Sequence, residues 1–390
     1  MTDITDTPVF FLTHAGAELY GADRVFLESA RALAATDARV VTVLPCDGPL
    51  VSLLNDAGSE VFISPSPVLR KSMLSPLGLV RLTGSFITGA ARGVRLLRKI
   101  RPETIYVNTV TTPLWPFLGK LLRIPVLVHV HEAERTAPKL LRTALAFPLI
   151  FADSIVCNSS YSAGALHEVI PRLAPRTKVV YNGLPGPETV IRAREIAHPP
   201  LRVLYVGRLS ERKGVHTLIE AMSQLQATGL DARLDVVGAV FPGNEEYLAS
   251  LERQVAAASL SDVVQFRGFD PQVWDWFASC DVAAVPSAVD EPFGDTAVEA
   301  VLAARPVIAS RTPGLTEAAG DYDCVQLVES GNAAALAQAI QNVHEQWPDF
   351  SAAAFTDSAA AALKHSPELY GQRIYDELLA LLPAPTAVTR

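Results

Sequence analysis

Short apolar segments alternate with longer segments of helical period along nearly the whole chain. Segments that are apolar at every position are typical of strands buried on both faces, and the helices between them are the crossovers that parallel strands need. A polar, proline-rich run at 185–200 interrupts the alternation, which then starts again. The sequence therefore predicts an α/β chain of two domains, each built on a parallel sheet. The predicted strands are 9–13, 39–44, 104–108, 126–130, 154–157 and 178–181 in the first domain, and 203–207, 233–237, 263–266, 281–285, 306–309 and 324–328 in the second.

Composition and charge narrow the class of protein. Of the 390 residues 49% are hydrophobic and 19% are charged, which provides for two sizeable cores and argues against disorder. The formal net charge of -8 gives no basic signal overall, so we expect no nucleic acid as a partner. The four cysteines are far apart in sequence, the N-terminus lacks the positive region of a secretion signal, and no apolar run is long enough to span a bilayer. We therefore expect a cytoplasmic protein with reduced thiols.

The segment EPFGDTAVE, residues 291–299, predicts a phosphate site. Pro292 suits the first position of a helix because it has no amide hydrogen to leave unpaired, and Gly294 lets a ligand approach the backbone closely. The following segment, 296–304, is predicted to form a helix, and its N-terminus would offer free amides and a positive dipole end to an anion. At helical spacing Glu291 and Glu299 would be about 12 Å apart along the axis and roughly 80° apart around it. This spacing matches a nucleoside diphosphate-sugar, with one carboxylate at the phosphate end and the other accepting from a ribose diol.

A second glycine-containing loop, GRLSERKG at 207–214, follows the first predicted strand of the second domain. Arg208 offers a planar fork of donors and Lys213 a compact charge, a combination suited to a diphosphate. We expect Arg212, in the same loop, to take no part in binding.

These two segments resemble the E-x7-E and G-R-L-x3-K-G motifs of the family 4 retaining glycosyltransferases, which have the GT-B fold. The resemblance covers nearly the whole chain and is strongest from 201 to 320. It implies two Rossmann-like, doubly wound domains facing a cleft, with the last helix, at about 369–382, crossing back onto the first domain. Asp281 and Ser287 fit the family pattern, and we expect both to be structural. The expected division is 1–184 for the acceptor domain, 185–200 for the linker, 201–365 for the donor domain and 366–390 for the returning helix.

The resemblance also implies an activity. It implies transfer of a sugar from a nucleotide-diphosphate sugar to a hydroxyl of a glycan or lipid-linked acceptor, with retention at the anomeric carbon, in cell-envelope or polysaccharide biosynthesis. It implies no carboxylate nucleophile, no cofactor and no metal ion, because the cationic loop and the helix end carry the charge of the leaving diphosphate.

The resemblance extends to individual residues. The segment GADR at 21–24 resembles the family's Gly-Gly-Ala-Glu-Arg, with Tyr20 in place of the first glycine. Arg267-Gly-Phe269 resembles the segment beside the nucleotide base. The residues expected in catalysis are His131, Glu291, Arg208 and Lys213. The residues expected to bind the donor are Gly21, Gly207, Arg208, Lys213, Arg267, Phe269, Glu291, Phe293, Gly294, Asp295, Thr296 and Glu299.

The choice of His131 depends on its place after the apolar strand VLVHV. Ligands of open α/β sheets gather at the carboxyl ends of strands, and family members carry a histidine there that approaches the transferred sugar. Strand alternation places His129 on the same side but further back, so it is the substitute candidate. Glu132 would either orient the imidazole or meet the acceptor, and the sequence does not choose between them.

A basic stretch in the first domain points to an anionic partner. Between Arg70 and Arg123 there are ten lysines or arginines and one acid, Glu103, interspersed with leucines and phenylalanine. A basic, amphipathic stretch in an acidic protein predicts a surface for anionic lipid or for a phosphorylated acceptor. We expect an anionic membrane surface to meet 70–101, which would make the protein peripheral on the inner face of the cell membrane. The alternative is a solvated helix whose apolar side lies in the core.

Three other functions share parts of this pattern. A nucleotide-sugar epimerase could have the same fold and donor site, an enzyme of the same family could act on a soluble small-molecule acceptor, and a scaffold protein could keep the fold without the chemistry. The intact arginine, lysine and paired glutamates argue against the scaffold. The sequence does not identify the donor's base, its sugar or the acceptor.

Overall fold

A computed structural model of the chain describes residues 7–69, 76–133 and 135–382, and for 76–81 it describes only the helical backbone. The chain divides into two compact units, of which the first contains residues up to 183 and the residues from 367 onwards, and the second contains 184–366.

The first unit is a seven-stranded parallel sheet covered by helices. Its order is β3-β2-β1-β4-β5-β6-β7. The strands are β1 Val9–Thr13, β2 Arg39–Leu44, β3 Glu60–Ile63, β4 Thr104–Asn108, β5 Val126–Val130, β6 Ser154–Cys157 and β7 Thr177–Val179. The helices are α1 Gly21–Ala34, α2 Pro49–Asp56, α3 Pro76–Ile100, α4 Leu114–Leu122, α5 Lys139–Ala146 and α6 Ser160–His167, with 3-10 helices at Phe147–Phe151 and Pro171–Arg176.

Both faces of this sheet are buried, as its continuous apolar strands predict. Phe11 packs in a cluster with Leu97 and Leu114, from α3 and α4. Its neighbour Phe10 belongs to a second cluster with Phe26 of α1. The sequence analysis did not predict β3, a short strand at the sheet edge whose side chains are partly exposed.

The second unit repeats the architecture with six parallel strands in the order β10-β9-β8-β11-β12-β13. The strands are β8 Leu201–Val206, β9 Ala232–Val237, β10 Val264–Gly268, β11 Val282–Val285, β12 Val307–Ser310 and β13 Val325–Val328. The helices are α7 Val215–Thr228, α8 Glu245–Ala257, α9 Val273–Ser279, α10 Asp295–Leu302, α11 Pro313–Ala319, α12 Ala333–Glu345 and α13 Trp347–Lys364, with a 3-10 helix at Glu211–Lys213.

Each sheet begins in its middle and is wound outwards in both directions. In the first unit the direction changes between β1 and β4, and in the second between β8 and β11. Such doubly wound sheets bind ligands outside the carboxyl ends of the strands at this switch point. The predicted pair of doubly wound α/β domains is confirmed, and the topology indicates one place in each unit where functional side chains should lie.

The last helix, α14 Pro367–Leu379, packs on the first unit, which confirms the predicted return of the chain. Tyr370, Ile374 and Leu378 are buried in the cluster that contains Phe10 and Phe26. The hydroxyl of Tyr370 lies 2.5 Å from Ser29 Oγ in α1, and Lys178 Nζ of β7 lies 2.6 Å from Glu377. Apolar burial and polar contacts therefore both fix this helix to the first unit.

The run 185–200, expected as a linker, belongs to the second unit. Arg194 pairs with the fully buried Asp281 at 2.6 Å, and its carbonyl accepts a hydrogen bond from Trp347 Nε1 at 2.9 Å. Asp281 also binds the guanidinium of Arg202 at 2.9 Å. Asp281 thus holds two segments together in this unit.

Within the described ranges, none of the helices is both long and apolar enough to cross a membrane.

Candidate functional site

Two loops meet at the switch point of the second unit, and an ion pair joins them. Lys213 ends the loop that follows β8, and Glu291 lies in the loop that follows β11, the neighbouring strand. Lys213 Nζ is 2.6 Å from one carboxylate oxygen of Glu291 and 2.7 Å from the other. The sequence predicted both residues from separate motifs, and the fold brings them into direct contact.

Close backbone packing allows these loops to meet. Gly214 has φ of +69°, and a Cβ there would lie 1.9 Å from the carbonyl oxygen of Pro286. A larger residue would be strained in conformation and would also clash with the loop after β11. The glycine after Lys213 is therefore needed to keep the cationic loop against the segment that carries Glu291.

Glu291 is held as a carboxylate by its partners. Burial acts to raise its pKa, but the charge and hydrogen bonds of Lys213 and the hydroxyl of Ser287, which donates to the carboxylate, outweigh burial and lower the pKa below its usual value. Ser287, expected to be structural, thus contacts a predicted site residue directly. The lowered pKa keeps Glu291 ionised at neutral pH, next to Lys213.

The helix that follows begins within one residue of the predicted segment 296–304, since α10 starts at Asp295 with Gly294 as its N-cap. Pro292, considered for the first position of the helix, and Glu291, whose spacing to Glu299 was calculated as helical, both lie before it. Gly294 has φ of +134°, which ends the preceding loop in a conformation that other residues rarely adopt. The helical spacing calculated for the two glutamates is therefore wrong, because Glu291 lies in the loop.

The remaining residues predicted on this segment have different surroundings. Asp295 and Thr296 occupy the first turn of α10, and Glu299 lies about 6 Å further along the helix than Asp295. The side chain of Phe293 is buried, with its ring 5.7 Å from that of His365. A contribution of Phe293 to ligand binding would therefore come from its backbone.

Arg208 lies at the same end of β8 as Lys213. Its guanidinium lies over the ring of Phe241, 4.0 Å from the centroid, and its carbonyl accepts a hydrogen bond from the hydroxyl of Tyr205 at 2.8 Å. The stacked ring fixes the plane of the guanidinium fork. Gly207, the first residue after β8, donates a backbone hydrogen bond from its amide to the carbonyl of Val237 at 3.0 Å.

Arg267 and Phe269 are further from this pair along the sheet. They lie at the end of β10, which is separated from β8 by β9. Arg267 binds Asp235 at 2.6 Å, and the Phe269 side chain is exposed. An exposed aromatic ring at the carboxyl edge of a sheet is available for stacking, as the expected place beside a base requires.

The first unit has a buried polar network at its own switch point. Asn108, the last residue of β4, lies at its centre: its Oδ1 is 2.7 Å from His131 Nε2 and its Nδ2 is 2.8 Å from His14 Nδ1. His14 follows β1, and its Nε2 is 2.8 Å from Asp23 of α1. Because the amide nitrogen of Asn108 donates and its oxygen accepts, His14 and His131 both carry their proton on Nε2 in this arrangement.

A second branch links His129 to the returning helix. His129 Nδ1 is 2.7 Å from the hydroxyl of Tyr106, which is 3.0 Å from Ser29 Oγ, and Ser29 in turn contacts Tyr370 of α14. The rings of His129 and His131 are 4.0 Å apart, on one side of the sheet as strand alternation predicts.

Burial keeps these two histidines neutral. It lowers the pKa of His129 to about 3 and the pKa of His131 well below its usual value, with the neighbouring histidines adding to the effect on His131. At neutral pH the imidazoles of His129 and His131 are therefore neutral hydrogen-bonding groups with a fixed orientation.

Glu132 contacts the backbone beside His131. Its Oε2 accepts from the His131 amide at 3.0 Å, and the hydroxyl of Thr109 donates to its other oxygen. Burial raises its pKa, and the hydrogen bonds from Thr109 and the backbone oppose that effect. Thr109 has φ of 84°, an uncommon conformation for a β-branched residue. Gly21, also predicted here, is the exposed first residue of α1.

The sequence analysis did not find His14, Asp23 or Asn108. Their signal was present, because His14 and Asn108 follow β1 and β4, and those two strands flank the switch point. Identifying that signal required knowledge of which strands are neighbours.

Two family models match the chain. Residues 20–183 match the glycosyl transferase 4-like domain, and residues 188–358 match the glycosyl transferases group 1. The first match covers most of the unit that contains His131 and Asn108, and the second covers the unit that contains Lys213 and Glu291.

Curated relatives and a solved structure agree with the two family matches. The chain is 27% identical over 309 residues to the 2-deoxystreptamine glucosyltransferase of Streptomyces kanamyceticus, covering 72% of this chain and 77% of that protein. It is 29% identical over 174 residues to the lipopolysaccharide 1,2-N-acetylglucosaminetransferase of Salmonella typhimurium, covering 42% of this chain but only 45% of that protein. Its structure is similar to the crystal structure of Anabaena Alr3699/HepE in complex with UDP and glucose, with a TM-score of 0.80, 23% identity, and coverage of 96% of this chain and 100% of that one. The structural likeness shows the GT-B fold, and the names of these relatives give no support to the epimerase alternative.

Proposed function

We propose that the chain transfers a sugar from a nucleotide-diphosphate sugar to a hydroxyl of a glycan or lipid-linked acceptor, with retention at the anomeric carbon. The matches of its two units to two glycosyltransferase family models support a glycosyltransferase of the GT4 type with the GT-B fold. The observation that carries the proposal is the contact between Lys213 and Glu291 at the switch point of the second unit. Two motifs that are 78 residues apart in sequence converge there on one site.

The donor's diphosphate is proposed to bind the cationic loop and the start of α10. An ammonium group has three N–H donors, and the two contacts with Glu291 leave Lys213 able to donate to a phosphate oxygen as well. Arg208, oriented by Phe241, adds a planar fork of donors, and the first amides of α10 add the positive end of a helix dipole. Glu299, on the same helix, is proposed to accept from the ribose hydroxyls.

In the proposed reaction the bond between the anomeric carbon and the leaving phosphate oxygen breaks while the acceptor oxygen bonds to the same face of that carbon. The acceptor's proton moves to the departing diphosphate, so no protein carboxylate forms a bond to the sugar. Lys213, Arg208 and the helix amides stabilise the negative charge that builds on the diphosphate. This division of roles requires no metal ion, and we propose that the activity is independent of one.

Glu291 and His131 are proposed to contact the sugar. Glu291 is ionised and fixed by Lys213 and Ser287, so it can accept a hydrogen bond from a sugar hydroxyl without moving. His131 is neutral and oriented by Asn108, as a residue that contacts hydroxyl groups should be. His129 stays the substitute candidate, and Glu132 is proposed to hold the backbone at His131.

The relatives differ in the class of acceptor for which they are named. One curated relative is named for lipopolysaccharide and another for the small molecule 2-deoxystreptamine. We propose a glycan or lipid-linked acceptor in cell-envelope or polysaccharide biosynthesis, supported by the excess of basic residues between 70 and 123. A soluble small-molecule acceptor is the second candidate, because the match to the 2-deoxystreptamine enzyme covers more of the chain.

The first test is a thermal-stability screen against nucleoside diphosphates, followed by transfer assays with the sugars of the nucleotide that binds. A ligand at 100 times its Kd should stabilise the protein by about 2.7 kcal/mol. The same nucleotide should stabilise a Lys213→Ala variant much less. Stabilisation by none of the nucleoside diphosphates would contradict the proposed donor site. Transfer should also survive EDTA, and loss of activity that manganese restores would contradict the metal-independent mechanism.

A further inference from the structure

We propose that one face of the first unit binds the surface of an anionic lipid bilayer. We call it the α3–α5 face, and it consists of α3, α4, α5 and the 3-10 helix Phe147–Phe151. Its exposed large apolar side chains are Ile87, Phe117, Leu121, Leu140 and Phe147. The inference extends the proposed function. It rests on that function only for its consequence, which is that a bilayer at this face would present a lipid-linked acceptor to the enzyme.

The aromatic side chains join these elements into one continuous surface. The ring of Phe86 in α3 lies 6.2 Å from that of Phe117 in α4. Phe117 lies 6.0 Å from Phe151, and Phe151 lies 6.2 Å from Phe147. Leu121 is one helical turn after Phe117, so it projects from the same side of α4. Leu140 extends the apolar surface along α5.

The opposite sides of these helices are used in the core. Gly93 of α3 packs so closely on α4 that a Cβ there would lie 2.6 Å from Leu118 Cδ1. The outward side chains lie outside the buried core and are unusually exposed: Leu140 at 84%, Ile87 at 67%, Leu121 at 60% and Phe147 at 51%. Contiguous apolar surface of this kind marks a site of protein or membrane interaction.

The charge of the face selects an anionic occupant. None of α3, α4 and α5 contains an aspartate or glutamate, whereas α3 alone has five arginines or lysines. The segment 76–151 has eleven lysines or arginines and three glutamates, although the whole chain has 33 basic and 41 acidic residues. Two copies of such a face would repel each other, which argues against a dimer through it.

A bilayer combines the two properties that the face requires. Apolar side chains can enter the boundary between headgroups and acyl chains, while lysines and arginines beside them contact lipid phosphates. Arg92, Arg95 and Lys120 are exposed on the same helices as Ile87 and Phe117. The membrane partner expected from 70–101 is thus placed differently: residues 70–75 lie outside the described residues, and most of the apolar anchors lie at 117–147.

The test is flotation of the full chain with vesicles of phosphatidylcholine alone and with vesicles containing an equal part of phosphatidylglycerol. We expect the chain to float with the anionic vesicles at low salt and to bind the neutral vesicles at least about tenfold more weakly, because each cation near an anionic surface adds to the attraction. High salt should reduce the difference by screening exposed charges.

Paired variants separate the contribution of the apolar side chains from that of the charged ones. Leu140→Glu/Phe147→Glu should lower partitioning into anionic vesicles by about tenfold or more at either salt concentration, because both apolar anchors are lost. Arg92→Glu/Arg95→Glu should lower it by a similar factor at low salt only. The matched controls are Ile196→Glu/Leu363→Glu and Arg253→Glu, which change exposed residues of the second unit and should bind like the parent.

A fluorescence measurement reports insertion directly. Phe147→Trp should give an emission shift to shorter wavelength on anionic vesicles, and Leu363→Trp should give none. Every variant should bind nucleoside diphosphate as the parent does, which shows that it is folded.

The outcomes distinguish the face from the proposed activity. Vesicle binding that depends on Leu140 and Phe147 supports the face even in a protein that transfers no sugar. Equal or negligible binding of the parent to both vesicle types overturns the inference, as does equal loss of binding in the control variants. A parent that binds neither vesicle but forms a dimer dissociated by Phe147→Glu also overturns it, since the occupant would then be a second copy.

Discussion

The sheets of the two units have the same order in their first six strands, but the side chains at their switch points differ in charge. In the first unit Asn108 joins His14 and His131 by hydrogen bonds, and burial keeps His131 neutral. In the second unit the loops after β8 and β11 are joined by an ion pair between Lys213 and Glu291. The comparison shows that the topology determines where a site forms, whereas the side chains determine which part of a substrate it can bind.

The difference suits the binding of two different chemical groups, hydroxyl groups in the first unit and a diphosphate in the second. His129 and His131 of the first unit are kept neutral by burial, so they can exchange hydrogen bonds with hydroxyl groups but provide little attraction for phosphate. The loops of the second unit keep Lys213 and Arg208 next to a helix N-terminus, where a diphosphate would be stabilised. Each of the following predictions changes one side of this comparison.

The largest effect should come from Lys213→Ala in the charged site. Loss of one group that stabilises the leaving diphosphate should reduce turnover by on the order of 10²–10³. Arg208→Ala should have a similar effect, and the double variant should lose much less than the product of the two, because both side chains act on one group. Steady-state kinetics with the nucleotide sugar identified by the screen would measure this.

The matched control is Arg212→Ala, which removes a cation from the same loop. Arg212 contacts the Asp290 carbonyl at 3.3 Å and is expected to be a bystander. If Arg212→Ala were as damaging as Lys213→Ala, general positive charge and not a specific contact would explain the role of this loop.

In the neutral site, Asn108→Ala should lower turnover by about a hundredfold while leaving nucleotide affinity unchanged. The variant removes the group that orients His131 and His14, and a small misplacement of a group at the reaction centre can have an effect of that size. Asn108→Asp should restore part of the activity, because it keeps an acceptor for His131 Nε2.

Nitrogen NMR of the histidine rings tests the same point without catalysis. His131 should carry its proton on Nε2 in the parent and lose that preference in Asn108→Ala. Ser29→Ala, which alters the other branch of the network at Tyr106 and Tyr370, should leave the His131 tautomer as it is. A parent with His131 protonated on Nδ1 would refute the orientation that we assign to the amide.

The sequence predicts the sheets better than it predicts the loops. Strand β11 is apolar at every position, and β5 at every position except His129, because both faces of each sheet are covered, and this pattern is unambiguous. The helix predicted at 296–304 is present as α10, but the helical spacing calculated for Glu291 and Glu299 is wrong, because Pro292 is favourable at a helix start while the break is set by the backbone at Gly294. A local preference is visible in sequence, but a backbone conformation imposed by packing is not.

The same difference, between what a local motif shows and what only the packed structure shows, applies to the site residues. Lys213 and Glu291 could be predicted because each belongs to a compact motif, and the fold only had to bring the motifs together. Ser287 was given a structural role because its hydroxyl could be assigned to Glu291 only with the loop geometry known. The network around Asn108 joins residues of three separate segments, each polar and unremarkable alone.

A smaller effect is expected from Glu299→Ala, which tests whether the charged site continues along α10. Loss of a charged acceptor for the ribose should weaken nucleoside diphosphate binding by about 1.5–3 kcal/mol without unfolding the protein. Isothermal titration calorimetry would measure it, with Glu252→Ala, an exposed carboxylate of α8, as the control. Unchanged affinity in Glu299→Ala would confine the donor site to the loops. By contrast, Glu291→Ala should lower turnover more than affinity, because we place Glu291 nearer the sugar.

The last prediction concerns how the stability of each unit depends on pH. The folded pKa of His129 is about 3, below the unfolded value of 6.5, so the unfolded chain binds more protons between these values. The stabilising contribution is therefore fully present above pH 6.5 and is lost as the pH falls towards 3. His131 has the same sign, whereas Glu132, with a raised pKa, has the opposite one, since its contribution is present below its unfolded pKa of 4.5 and is lost as the pH rises through the folded value.

Lowering the pH from 6.5 to 5 should thus weaken the first unit by about 1.4 kcal/mol per pH unit through His129, with His131 adding to this loss and Glu132 opposing it. Glu291 has a lowered pKa, so its contribution to the second unit is present above pH 4.5 and is lost only below it. Hydrogen exchange at the amides of β4 and β5 should therefore accelerate over this range relative to those of β8 and β11. His129→Gln should reduce the dependence in the first unit by the share of one histidine. An equal response of both sheets would mean that burial does not keep His129 neutral, and the contrast between a neutral and a charged switch point would then fail for that residue.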